Sequence, residues 1–193
     1  PSDAREKVLG FDSGPGNRLM DDWIARCKGE NYDQEGAWAA TGKISEELLE
    51  RLLAEPYFQQ PPPRSTGTET FNLAWLSERS GGLEAGMNPA DVQATLLELT
   101  AVSISDALRS LPATKSLLTC GGGAHNRRLL ERIAALLPGI ETGTTATAGI
   151  DPDWVEAAAF AWLAWRTMNS LSGNLPDVTG AREAVILGGI YPA

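Results

Sequence analysis

The chain has 193 residues, of which 42% are hydrophobic and 21% charged, as in a globular protein with a buried core rather than in a disordered segment. Its 25 acidic and 16 basic side chains give a net charge of −9, so nucleic acid and anionic membranes are poor candidate partners. Cys27 and Cys120 lack a CxxC or Cys/His pattern, which favours free thiols in a reducing compartment over a disulfide or a zinc site.

The first motif of the chain follows a short apolar run. Residues 8–11 are typical of a buried strand, and Gly14-Pro15-Gly16 must end that strand in a sharp turn. Asp12 therefore stands before a turn whose glycines leave backbone N–H groups open to a phosphate. Asn17 is a good N-cap for the following helix, whose positive end would attract an anion. An ordinary turn with an Asx-type hydrogen bond from Asp12 explains the same residues equally well.

Two short surface helices are predicted next, over residues 33–41 and 45–54, the second with Ser45 as its N-cap. The prolines at 61–63 then force an extended segment that leads into a polar loop, residues 64–69. This loop can line a cleft, but the favoured interpretation is a solvated connector.

The clearest helix signal begins at Asn88, with Pro89 at the first helical position and Asp91 in the first turn. Two apolar stripes predict a central helix that is covered on two sides and ends at Pro112. The stripes are Val92, Leu96, Leu99 and Val102, and Leu97, Ala101, Ile104, Leu108 and Leu111.

A second strand, glycine turn and helix follow. Residues 116–120 predict a strand with Cys120 buried in it, and the glycines at 121–123 allow a flat ring or sugar to lie against bare backbone. A tight turn between strand and helix would use the same glycines. Asn126 is expected to cap the next helix. His125 is the only histidine and is expected to have a structural role in the loop or at the helix cap, so no Ser-His-Asp triad is predicted.

The last long helix is predicted over residues 151–171, after a short strand at 140–144 and before a final strand at 185–187. Asp153 and Glu156 have capping-box spacing, which is favoured over a role for Glu156 in binding sugar hydroxyls. The tryptophans at 154, 162 and 165 predict a core or an interface. The apolar run at 157–165 is too short to cross a bilayer.

Segments along essentially the whole chain, in the same order, resemble the anhydro-N-acetylmuramic acid kinase family. They are residues 10–17 (GFDSGPGN), 61–67 (PPPRSTG), 91–96 (DVQATL), 120–126 (CGGGAHN) and 156–164 (EAAAFAWLA).

The resemblance implies an α/β fold, the ribonuclease H-like lobe of the actin-like ATPase superfamily, with a mixed sheet flanked by helices. Residues 1–193 would form the carboxyl-terminal lobe of a two-lobe kinase. We expect the final segment, about residues 172–193, to pack back on the amino-terminal lobe. Because the chain begins at Pro1 and almost at once enters a predicted strand, we expect it to be part of a longer protein that is inactive without its other half.

The activity implied by the resemblance uses ATP and Mg²⁺. Water opens the 1,6-anhydro bridge of the sugar, and the released O6 takes the γ-phosphoryl group, which yields N-acetylmuramic acid 6-phosphate and ADP. The pathway is cell-wall sugar recycling in the bacterial cytoplasm, and the family is typically homodimeric.

The resemblance also assigns roles to residues. Asp12 matches the catalytic base, and a carboxylate beside a phosphate-binding turn is suited to accept a proton. By the same match Gly14, Gly16 and Asn17 would contact the ATP phosphates, and Gly121, Gly122 and Gly123 the adenosine. Glu156 becomes a candidate for binding sugar, and the metal ligands are not identified. Thr68 stands where the family pattern has a basic residue, for which Arg64 can compensate.

Two alternatives remain at this stage. The chain can belong to another sugar or carboxylate kinase of the same superfamily, or it can be a nucleotide-binding lobe without turnover.

Overall fold

The computed structural model describes residues 8–111 and 114–191. Helices and two short strands alternate in the second half of the described chain, whereas helices and turns make up the first half. The elements are α1 (Arg18–Lys28), α2 (Glu46–Leu53), α3 (Leu73–Ser80), α4 (Pro89–Arg109), β1 (Ser116–Thr119), α5 (Arg127–Leu136), β2 (Glu141–Thr144), α6 (Val155–Met168) and α7 (Pro176–Thr179).

Helix α4 is the centre of the structure. Asn88 caps it as predicted, since its Oδ1 accepts a hydrogen bond of 3.0 Å from the backbone N–H of Ala90. Every residue from 92 to 101 is buried, and α1, α2 and α5 pack around the helix. The prediction of a helix covered on more than one side is therefore confirmed. The helix ends at Arg109, and the predicted stop at Pro112 lies outside the described residues.

Burial of α4 includes polar side chains, most of which find hydrogen-bonding partners; the hydroxyl of Ser105 and the Oε1 of Gln93 have none among the described residues. Glu98 is only 4% exposed, and both oxygens of its carboxylate accept hydrogen bonds from the guanidinium of Arg132, at 2.6 and 2.8 Å. Thr95 donates to the carbonyl of Asp91 and accepts from the backbone N–H of Ser45. These contacts join α4 to α5 and to the start of α2.

The two described strands are parallel neighbours, and Ser116 to Thr119 pair in register with Glu141 to Thr144. Helix α5 connects them, and Asn126 caps it as predicted, with its Oδ1 3.0 Å from the backbone N–H of Leu129. The α/β class is confirmed. The short strand at 140–144 is present within one residue of its predicted start.

Three predictions about strand residues are wrong. Residues 8–11 and 185–187 form no strand, because no neighbouring strand among the described residues pairs with them. Val8 is 53% exposed and Ile186 is 50% exposed. Cys120 is exposed rather than buried; it lies one residue beyond β1, whose own residues are exposed or half-buried. Both cysteines are free thiols, as predicted.

The predicted helix over 33–41 is replaced by two 3-10 turns, Gln34–Gly36 and Ala39–Thr41. The buried carboxylate of Asp33 explains the break, since it accepts hydrogen bonds from the backbone N–H groups of Trp38 and Ala39 at 2.8 and 2.9 Å. Helix α2 is confirmed, with the Ser45 hydroxyl accepting from the backbone N–H of Leu48.

Helix α6 is shorter than predicted and has no buried residue. Its apolar side chains therefore build no core within the described residues. The large ones are exposed to different degrees: Phe160 64%, Trp162 51%, Trp165 55% and Met168 68%. None of the described helices is both long enough and apolar enough to span a bilayer.

The ion pair between Glu98 and Arg132 makes a stability prediction. Arg132→Met keeps the aliphatic stem but leaves the buried carboxylate of Glu98 unpaired, so we expect the free energy of unfolding to fall by about 2 kcal/mol. Urea-induced unfolding followed by tryptophan fluorescence measures this loss.

Arg128→Met is the matched control on the same helix, because Arg128 lies 3.9 Å from its carboxylate partner Glu131 and both side chains are about half exposed. We expect a change below about 0.5 kcal/mol for this control. Equal losses in the two variants would show that the pair with Glu98 contributes nothing specific.

Candidate functional site

The carboxylate of Asp12 is held by residues more than fifty positions away. Its Oδ2 accepts hydrogen bonds from the backbone N–H of Thr66 at 2.8 Å and from the hydroxyl of Ser65 at 3.1 Å. The backbone of Asp12 is held as well, since its N–H donates to the carbonyl of Arg64 and its carbonyl accepts from the hydroxyl of Tyr57. The side chain of Asp12 is exposed. Ser65 and Thr66 both bond to its Oδ2, so Oδ1 can receive a proton.

These contacts bear on the interpretation of both segments. The carboxylate of Asp12 bonds to the distant segment 65–66 and, among the described residues, makes no local Asx-type bond. Arg64 and Ser65 of the polar loop line a cleft with Asp12, which favours the cleft interpretation of this loop over that of a solvated connector. That cleft has a volume of about 380 Å³ and is closed on one side by Val178 and Thr179 of α7.

The glycine turn lies directly on α4. A Cβ on Gly14 would come within 2.8 Å of the Phe58 ring and 3.0 Å of the Ser103 hydroxyl, so only glycine fits there. Gly16 has a φ of +55°, and its carbonyl accepts a hydrogen bond of 2.7 Å from the hydroxyl of Thr100. Two small polar residues of α4, Ser103 and Thr100, therefore fix how closely the turn approaches the helix and how it is oriented.

Asn17 connects the two glycine segments. It occupies the N-cap position of α1, but its side chain makes no capping hydrogen bond, so the predicted capping is wrong. A Cβ on Gly123 would lie 3.3 Å from both side-chain polar atoms of Asn17. The structure thus brings together two groups of residues predicted independently, Gly14 to Asn17 and Gly121 to Gly123.

A cavity of about 540 Å³ opens where these segments meet, with Asn17, Gly122 and Asn126 on its wall. This volume is within the range of pockets that hold a small-molecule ligand. Asp21 also lines the cavity, and burial, followed by the nearby charge of Asp22, raises its pKa to about 6. The remaining wall combines polar and apolar side chains, among them Met20 and Tyr32.

The third predicted region, around Glu156, lies apart from Asp12. Asp153 and Glu156 form no capping box: Asp153 bonds instead to Nε2 of His125 at 2.7 Å, and the side chain of Asp151 accepts from the backbone N–H of Asp153. The hydrogen bond to Asp153 raises the pKa of His125. Glu156 is exposed in the first turn of α6 and lines none of the cavities beside Asp12.

The segment before α6 is nevertheless tied to the glycine loop. The backbone N–H of Gly121 donates to the carbonyl of Pro152 at 2.9 Å, beside the contact between His125 and Asp153. The start of α6 is therefore attached to the same loop that lines the cavity.

Arg64, which is expected to compensate for Thr68, bonds mainly to the backbone. Its Nε donates to the carbonyl of Asp12, its Nη1 to the carbonyls of Tyr57, Phe58 and Gln60, and the guanidinium lies over the rings of Phe11 and Tyr57. Arg64 therefore holds the polar loop to the segment before the glycine turn.

The sequence alone did not single out Tyr57 and Thr66, which support Asp12, or Thr100, which supports the glycine turn. Their contacts span 45 to 84 positions along the chain, which no local spacing reveals. The described residues contain no group of three His, Cys, Asp or Glu side chains arranged to hold a metal.

Comparison with known proteins agrees with the resemblance. The family model for anhydro-N-acetylmuramic acid kinase matches residues 3–193. A protein of that name from Thiobacillus denitrificans is 54% identical over 187 residues, 96% of this chain and 50% of its own length. Proteins of the same name from Pseudomonas syringae pv. tomato and Shewanella loihica are 53% and 50% identical, over 96% and 100% of this chain. The chain spans about half the length of these curated relatives.

The contact between Gly14 and α4 can be tested by substitution. Gly14→Ala places a methyl group against Phe58 and Ser103, so we expect it to displace the turn and to lower the free energy of unfolding by about 1 to 3 kcal/mol. Gly86→Ala is the control, since a Cβ there meets no atom within 4 Å, and we expect it to be near neutral. Denaturant unfolding measures both, and a Gly14→Ala variant as stable as the control would contradict the packing argument.

The raised pKa of Asp21 predicts a pH dependence of stability. Since the folded state binds the proton more tightly than the unfolded chain, this carboxyl group destabilises the protein increasingly as the pH rises from about 4 to 6. Asp21→Asn removes the cost of ionising this carboxyl group. The melting temperature of the variant should therefore exceed that of the wild type by more at pH 7 than at pH 4. Glu50→Gln, at an exposed site, should show no such pH-dependent difference. A difference that is the same at both pH values would refute the assignment.

Proposed function

The chain belongs to the anhydro-N-acetylmuramic acid kinase family, and on that basis we propose that the protein of which it forms part is an ATP-dependent sugar kinase. It opens the anhydro bridge of 1,6-anhydro-N-acetylmuramic acid with water and transfers the γ-phosphoryl group of ATP to O6. The products are N-acetylmuramic acid 6-phosphate and ADP, and the setting is peptidoglycan recycling in the cytoplasm.

One observation carries this proposal. The carboxylate of Asp12 is oriented by two donors on Oδ2, faces a cleft of about 380 Å³, and lies two residues before the glycine turn. A base that removes a proton from water must lie next to the phosphate-binding site in this reaction, because hydrolysis and phosphoryl transfer occur on one substrate.

The proposed reaction assigns Asp12 the proton of the attacking water. Water attacks C1 of the sugar as Asp12 accepts this proton, the bond from C1 to O6 breaks, and O6 attacks the γ-phosphorus of ATP. Thr66 and Ser65 keep the carboxylate facing the water, so it does not have to reorganise during the reaction.

The nucleotide is proposed to bind across the two glycine segments. The phosphates contact Gly14, Gly16 and Asn17, where the absence of side chains at the glycines leaves the backbone accessible. The adenosine lies along Gly121, Gly122 and Gly123 in the cavity of about 540 Å³. Mg²⁺ fits a site with few protein ligands, and when bound it neutralises charge on the phosphates.

Glu156 is proposed to bind sugar hydroxyls. It lies in the first turn of α6, and Pro152, four residues earlier, is bonded to the glycine loop. Closure of a second lobe over the cleft would bring substrate between α6 and Asp12, which the described residues leave apart.

The 193 residues are proposed to form the carboxyl-terminal, ribonuclease H-like lobe of a two-lobe kinase. Support comes from α6, since a helix this apolar on all sides is normally buried, and from the half-length match to the relatives. The amino-terminal lobe would cover part of this surface together with residues 172–193. A homodimer interface is proposed to cover the rest.

Asp12→Asn in the full-length protein tests the role of the base. The amide keeps the size and can still accept from Thr66, but it cannot take a proton, so we expect turnover to fall by about a thousandfold or more while ATP binding is retained. Steady-state kinetics and calorimetric titration with an ATP analogue measure the two quantities.

Glu50→Gln, at an exposed position on α2 away from the cleft, is the control and should keep full turnover. Full activity of Asp12→Asn would reject Asp12 as the base. Phosphorylation of N-acetylmuramic acid but not of its anhydro form by the wild type would favour another sugar kinase. Nucleotide binding without turnover on either sugar would favour a regulatory lobe.

A further inference from the structure

A small cavity lies between the glycine turn and the polar loop, and it is distinct from the two larger clefts. It has a volume of about 160 Å³ and is bordered by Gly14 on one side and by Thr66, Gly67 and Thr68 on the other. Because whole-ligand pockets measure about 300 to 1,000 Å³, this cavity suits a single group of a bound ligand.

Arg18 is the cation of this cavity. It is the first residue of α1 and one of the residues that line the space, with a side chain that is 52% exposed. Among the described residues its only polar partner is Asp22, which accepts from Nε at 2.9 Å. The two terminal nitrogens of the guanidinium thus have donors left for a planar anionic group.

Thr66 also borders the cavity. Its hydroxyl oxygen is buried and has no hydrogen-bond partner among the described residues, although the backbone N–H of Thr66 holds Asp12. A buried hydroxyl without a partner costs free energy, which a bound acceptor would recover once the side chain turns toward the cavity. The carboxylate of Glu69 lies against Gly67 at the rim, but Glu69 is exposed and can turn to solvent.

We propose that this cavity binds one anionic group of the substrates, with Arg18 as its cation and the Thr66 hydroxyl as a donor. This inference rests on the proposed function. The group is either the lactyl carboxylate of the muramic acid or a phosphate of the nucleotide, since both present acceptor oxygens to a guanidinium. Arg18 thereby acts as a specificity determinant two residues beyond the glycine turn.

The test uses the full-length kinase with Arg18→Met, which keeps the stem and removes the charge. We expect the KM for one substrate to rise about tenfold or more, with a small change in kcat. A rise for the anhydro-muramic acid but not for 1,6-anhydro-N-acetylglucosamine, which lacks the lactyl group, identifies the carboxylate. A rise for ATP alone identifies the phosphate.

Two further variants separate this role from a structural one. Arg26→Met lies on the same helix, away from the cavity, and should leave every KM within twofold. Thr68→Arg in the Arg18→Met background places a guanidinium across the same cavity and should restore most of the lost affinity. Unchanged KM values in Arg18→Met, equal effects of Arg26→Met, or no restoration by Thr68→Arg would each overturn the proposal.

The outcome is separable from that of the proposed function. An inactive wild type would reject the kinase activity. Calorimetric titrations of the wild type and Arg18→Met with ATP and with the anhydro-sugar would still test the cavity, because binding does not require turnover. Equal affinities of the two proteins for both ligands would then overturn the assignment of Arg18.

Discussion

Burial of the middle of α4, residues 92–101, is the constraint on which the rest of the structure depends. Polar groups on such a helix require hydrogen-bonding partners, because an unpaired one inside the protein costs free energy. Glu98 accepts hydrogen bonds from Arg132 on α5, and Thr95 accepts one from the backbone of Ser45 at the start of α2. Thr100 donates to the carbonyl of Gly16, so a hydrogen bond that satisfies a buried side chain of α4 also fixes the glycine turn.

The candidate site is consequently an extension of the core rather than an addition to its surface. Gly14 rests against Ser103 of α4, and Asp12, two residues earlier, is bonded to the loop that Arg64 attaches to the segment before the turn. Asn17 then reaches the second glycine segment. Asp12 is thus oriented by backbone and side-chain donors before any ligand binds, which is the preorganisation that acid–base chemistry requires.

The wrong predictions have a common physical origin. The apolar residues at 8–11 and 185–187 have the composition of strands, but a strand exists only when a neighbour supplies hydrogen bonds, and none does so among the described residues. The predicted capping box at Asp153 and Glu156 is likewise a local pattern. It does not form, because the carboxylate of Asp153 bonds to His125 instead. The side chain of Asn17, at the N-cap position, lies beside Gly123 of the second glycine segment and does not bond to the backbone of its own helix.

Local signals in the sequence were sufficient for α2, α4 and α5, for the caps at Ser45, Asn88 and Asn126, and for the two glycine turns, because capping and turn conformation depend on residues within a few positions. The motifs also sufficed to recognise the family. Only the tertiary structure decided that residues 65 and 66 orient Asp12, that Arg64 is occupied by backbone carbonyls, and that Arg18 borders a cavity with Thr68. These contacts join residues up to 54 positions apart, and their partners are selected by packing around α4, which no local pattern encodes.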